Sequence, residues 1–91
     1  MARGRALRAR LAADRGEHAE AERLARSGLE YAYKTDFPPV HAKAHASLAH
    51  ALAAAGQTTE ARSEQERTIE LWSRYGFQVH AERARAQLAQ L

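Results

Sequence analysis

The chain carries nearly the same phrase twice. "GEHAEA" stands at 16–21 and "GQTTEA" at 56–61, a step of 40 residues. Sliding the sequence against itself by 40 positions, without gaps, extends the match along much of its length. Gly16 falls on Gly56, Glu20 on Glu60 and Ala21 on Ala61. Leu29 meets Ile69, Glu30 meets Glu70, Lys34 meets Arg74 and Phe37 meets Phe77. Ala44, Ala46, Leu48 and Ala49 meet Ala84, Ala86, Leu88 and Ala89. Alanine matches come cheaply in an alanine-rich chain, so Gly16, Glu20, Glu30, Phe37 and Leu48 carry the weight. A period of this length marks stacked helical units, none of which buries its apolar face alone.

The residue types agree with helices. Alanine is the commonest residue, followed by arginine, leucine and glutamate, all strong helix formers. β-branched residues are few and no stretch alternates, so the expected class is all-α. At 91 residues the chain makes one small domain, 1–91, whose core stabilises only marginally. It has no cysteine, which excludes disulfides and thiolate metal sites. There is no signal peptide and no apolar run long enough to span a bilayer, so a cytoplasmic setting without membrane attachment is expected.

Turn residues divide the chain into five predicted helices: about 2–14, 17–35, 39–55, 58–75 and 78–91. Gly16, Gly56 and Gly76 suit the left-handed conformation that closes a helix. Asp36, the counterpart of Gly76, is among the better non-glycine residues for it. Thr58 is placed to cap the next helix, with Glu60 in its first turn. Pro38 and Pro39 suit a helix start, where a missing N–H does no harm. Phe37 and Phe77 are expected to pack back on the helix just ended. In 39–55, Ala42, Ala46, Ala49 and Ala53 form a small-residue face beside Leu48 and Leu52. In 58–75, Ala61, Thr68, Ile69 and Trp72 form an apolar side.

The stretch from Leu48 to Leu71, "LAHALAAAGQTTEARSEQERTIEL", resembles the tetratricopeptide repeat. Leu48, Ala49, Leu52, Gly56 and Ala61 match that family's characteristic positions. Thr68 stands where a small alanine is usual, and Gln65 where a large aromatic is usual. In the first unit Gly16, Ala21, Gly28 and Leu29 fit, while Arg8 replaces an expected leucine. The resemblance implies an α-solenoid of antiparallel helix-turn-helix repeats: one at about 2–37, one at about 38–77 and a capping helix at 78–91. The long period, and the ending "LWSRYGFQVHAERARAQLAQL", are similar to repeats of bacterial LuxR-type and other signalling regulators. No DNA-binding or nucleotide-binding segment is present in these residues.

In such an array the first helix of each unit lines the concave side. The register then makes Arg3, Lys43 and Arg83 equivalent there. Seven residues on come Arg10, His50 and Gln90, with Ala6, Ala46 and Ala86 between. This basic stripe leaves room for an extended or helical peptide whose carboxylates pair with the cations. The alternative is a solvated charged face. His41 and His45, four apart, could share a metal ion, but two ligands without a nearby acid read better as exposed histidines at a helix start. Trp72, Tyr75, Tyr31 and Tyr33 could line a ligand pocket, but packing against the next unit is the plainer reading. Ser27, Ser47, Ser63 and Ser73 lie in helices without a nucleophile elbow. Glu60, Glu64 and Glu66 read as surface residues interleaved with Arg62 and Arg67. No catalytic residue, cofactor or phosphate loop is expected.

The function expected is therefore a non-enzymatic protein-interaction module that takes an acidic segment in a basic groove. Its rival is a structural one: a terminal piece of a longer array, or a unit that self-associates. The poor apolar side of the first helix, mainly Leu7 and Leu11, favours docking on something. Nucleic acid is an unlikely partner, because the arginines lack interleaved aromatics that would stack on bases.

Overall fold

The computed structural model describes Arg8 and residues 11–91. They are all-α: helices α1 (His18–Ala32), α2 (Pro38–Ala54), α3 (Thr58–Arg74) and α4 (Gln78–Ala89) follow a helical segment at 11–14. That segment lies where the first of the five predicted helices ends. No strand occurs among the described residues.

The repeated glycine is a repeated piece of geometry. Gly16, Gly56 and Gly76 have φ of 79°, 80° and 81°. After each, an N–H reaches back five residues: Glu17 to the Ala12 carbonyl at 2.9 Å, Gln57 to Leu52 at 2.9 Å and Phe77 to Trp72 at 2.8 Å. Each glycine N–H bonds the carbonyl three residues back. These paired bonds are the Schellman motif, which satisfies carbonyls that a helix end would leave orphaned.

The α1–α2 turn is built differently, and here the expectation at Asp36 fails. No residue other than glycine has positive φ among those described. Helix α1 stops at Ala32, three residues short of the predicted end at 35. Lys34 takes the place that glycine holds elsewhere, and a left-handed conformation there costs about 1–2 kcal/mol. The chain instead winds down through tighter bonds, Lys34 N–H to the Tyr31 carbonyl at 3.1 Å and Thr35 N–H to Ala32 at 3.2 Å. Phe37 is then extended (φ −87°, ψ 105°), as a residue before proline must be. Pro38 and Pro39 open α2 as expected. Phe37 does not fold back on α1 and is 58% exposed. Phe77 does fold back: its ring meets Trp72 edge-on at 5.2 Å. Thr58 also departs from expectation. It is the first residue of α3, Gln57 holds the cap position, and no side chain caps the helix. Glu60 does lie in the first turn.

Each helix packs on the next in sequence. The short turns make neighbours antiparallel, so the Gly16 and Gly56 turns share one end of the molecule. The turns at 33–37 and 75–77 share the other. Cross-helix bonds agree: Arg26 of α1 reaches Glu60 of α3 at 3.5 Å, and Gln57 reaches Glu22 at 3.4 Å.

The core is mostly methyl groups. One cluster joins Ala12, Ala13, Ala21, Ala25, Leu48, Ala51, Leu52 and Ala61. The other joins Ala42, Leu71, Trp72, Ala81 and Ala84. Helix α2 is the central member, with eight buried residues spread around it. Its Ala42 and Ala49 are buried, and Ala46 and Ala53 are half-buried. On α3, Ala61, Thr68 and Trp72 are buried and Ile69 half-buried, as the spacing predicts, and Gln65 completes the row.

Candidate functional site

Two polar constellations stand out. The first comprises the described members of the predicted stripe of cations. Arg3 and Arg10 fall outside the described residues. Lys43 of α2 and Arg83 of α4 are exposed, and neither forms an ion pair with a described residue. One helical face carries Lys43 to His50, and another carries Arg83 to Gln90, because seven residues make two turns.

His50 and Gln90 line one depression of about 270 Å³. Ala46, Ala49 and Ala53 of α2 supply its apolar wall, and Gln65 and Gln87 complete its polar side. The structure thus brings His50 and Gln90 together, but Lys43 and Arg83 do not line the same depression. His50 is also engaged, its Nε2–H pointing to Asp14 Oδ1 at 3.2 Å. Gln65 was the residue expected to be a misfit. Its amide is buried and donates to the Ala84 carbonyl at 2.9 Å and to Gln87 Oε1 at 3.2 Å. It fastens α4 to α3 by hydrogen bonds where a larger ring would do so by area.

The second constellation was not foreseen, and it corrects the reading of His41 and His45 as exposed. His45 is buried, 8% accessible, in the middle of three elements. Its Nδ1 lies 2.6 Å from Glu64 Oε1 on α3, and its Nε2 lies 2.8 Å from the Tyr33 hydroxyl after α1. A carboxylate only accepts, so Nδ1 carries the proton, and in the neutral imidazole Nε2 accepts from the phenol. His41 is half-buried: its ring stacks on Tyr33 at 4.1 Å and 15°, and its Nε2–H donates to the Thr35 carbonyl at 2.6 Å. Glu64 is accordingly no free surface carboxylate. With both its nitrogens in bonds, His45 has no lone pair left for a metal, and no group of three metal-capable side chains occurs among the described residues.

The aromatic residues divide. Trp72 is buried against Phe77 and His80, the latter at 4.5 Å between ring centres, which is the packing role predicted. Tyr31 and Tyr75 are exposed, counter to that packing expectation, whereas Tyr33, also 46% exposed, packs one face of its ring on His41 of the next helix. No described helix is long and apolar enough to cross a membrane. Against known proteins, the chain matches no family model, no curated protein and no solved structure.

Proposed function

We propose that this chain is a non-enzymatic interaction module of the tetratricopeptide type, binding an acidic segment of a protein partner along the face that carries Lys43 and Arg83. One observation supports the reading above others. Lys43 and Arg83 hold the same place in successive 40-residue units and, like Arg15 and Arg62, form no ion pair with a described residue, whereas Arg23, Arg26, Arg67 and Arg74 are tied to carboxylates on their own helices. An unpaired cation keeps its charge available to a partner carboxylate. The register adds Arg3 and Arg10, and the depression beside His50 and Gln90 supplies hydrogen-bonding groups and space.

The test is fluorescence anisotropy with a labelled glutamate-rich peptide. Binding is expected to weaken as salt rises. The Lys43→Glu, Arg83→Glu double variant is expected to weaken it about tenfold, a loss of about 1.4 kcal/mol. An unchanged affinity overturns the reading.

A second reading rests on a different observation. Val79 is 60% exposed, and Ala86, seven residues on, shares its face of α4. That uncovered face suits docking on further repeats or on a second copy, as in a longer array of a bacterial transcriptional or signalling regulator. Light scattering at micromolar concentration separates the two: a dimer favours the structural reading, a strict monomer the groove.

A further inference from the structure

The geometry points to Tyr33 as an activated phenol, a nucleophilic acceptor for acyl groups carried by an activated ester. This goes beyond peptide binding and does not depend on it. A nucleophile within hydrogen-bond reach of a base, with the base oriented by a third group, is the arrangement that activates weak nucleophiles. Here the Tyr33 hydroxyl stands 2.8 Å from His45 Nε2, and Glu64 holds His45 Nδ1 at 2.6 Å. The three residues come from three elements, so the contact is a product of the fold.

Two features favour chemistry over a purely structural bond. The phenol ring is clamped, stacked on His41 and edge-on to His45 with centres 5.7 Å apart. Yet Tyr33 remains 46% exposed, while the base behind it is buried. His45 and Glu64 also border an open depression of about 460 Å³ on the α3 side, but Tyr33 does not line it, so an ester reaches Tyr33 from its own exposed face. The rim of the depression carries Glu66, Glu70 and Arg67, and Glu70 is paired with Arg67 and Arg74, so a small neutral ester is the plainest probe.

The step balances without an oxidant or reductant. Tyr33 Oη attacks the ester carbonyl carbon as its proton passes to His45 Nε2. The Glu64 carboxylate stabilises the imidazolium through Nδ1–H. Collapse of the tetrahedral adduct expels the alkoxide or phenoxide, which takes the proton back from His45 Nε2. One acyl–oxygen bond forms at Tyr33 and one breaks in the ester, leaving an acyl-tyrosine.

The experiment treats the full chain with p-nitrophenyl acetate and maps acetylation by mass spectrometry. Tyr75 is the internal standard, since it is similarly exposed and makes no hydrogen bond through its hydroxyl to a described residue. Tyr33 is expected to be acetylated at least about a hundredfold faster than Tyr75, the low end of what a positioned base contributes. Glu64→Gln keeps the size and an acceptor oxygen but removes the charge. It and His45→Gln are each expected to bring Tyr33 down towards Tyr75, with the helical circular-dichroism signal of Glu64→Gln unchanged. Should His45→Gln fail to fold, the ratio within the wild-type chain and the Glu64→Gln rate still decide. Equal labelling of Tyr33 and Tyr75 overturns the inference. So does a Tyr33 rate that Glu64→Gln leaves intact.

Discussion

At the residue scale, the glycines are the positions where identity is least negotiable. Gly56 holds φ of 80°, and a Cβ placed there meets nothing within 4 Å. Space is therefore not the obstacle; the backbone conformation is. Gly56→Ala is expected to destabilise by about 1–2 kcal/mol, read as a lower urea midpoint with an unchanged slope. A loss well below 1 kcal/mol would mean that the turn relaxes out of the left-handed region. This is also why the turns were legible in the sequence: glycine is the residue that adopts such φ cheaply, so its position announces the conformation. His45 announced nothing of the kind. Its partners lie 12 residues before it and 19 after it, on other elements. Its bonds depend on how the helices are rotated about their axes, and one-dimensional spacing does not encode that. Glu64 misled for the same reason, since beside Arg62 and Arg67 it has the look of an ordinary exposed helix carboxylate.

At the scale of the elements, α2 differs from its neighbours. Helix α1 presents a narrower buried side of Ala21, Ala25, Gly28 and Ala32, whereas α2 is buried around most of its circumference. Small residues make this feasible, because alanine lets helix axes approach closely. They also leave little apolar volume, so the few large side chains matter more. Leu48 and Leu52 are each 1% exposed and are the largest apolar residues that are fully buried. Leu48→Ala is expected to cost about 2–5 kcal/mol, towards the upper end where rigid helices cannot collapse onto the gap. Thermal or urea unfolding checks it, with Leu88→Ala as a control: the same residue type one unit later, only half-buried, and expected to lose less. The repeat made Leu48 and Leu88 equivalent in sequence. Their burial differs because α3 and α1 both cover α2, while among the described helices α4 packs mainly on α3. Where the repeat fails in structure it fails for a local reason. Asp36 replaces the glycine of the later unit, and the helix before it ends early.

At the scale of the whole molecule, packing runs from each helix to the next. If the helices behave as stacked repeat units, stability is expected to be close to a sum of unit and interface terms. The ends of such a stack then open more easily than its middle, since an end helix is held on one side alone. Helix α4 is fixed by Ala81 and Ala84, by the Gln65 amide and by the Arg85 guanidinium on Ser73 Oγ at 3.1 Å. Helix α2 has α1 on one side and α3 on the other. Hydrogen exchange on the full chain should therefore rank amides of α2 and α3 as slowest and those of α4 as faster, by more than ends fray within a single helix. Binding of an acidic segment across Lys43 and Arg83 would join α2 to α4 and raise protection in α4 first. Ligand-induced slowing in α4 with little change in α2 is thus the signature expected of the groove. Uniform protection across all four helices, with and without the peptide, would instead describe one cooperative block and remove the basis for treating the chain as stacked units.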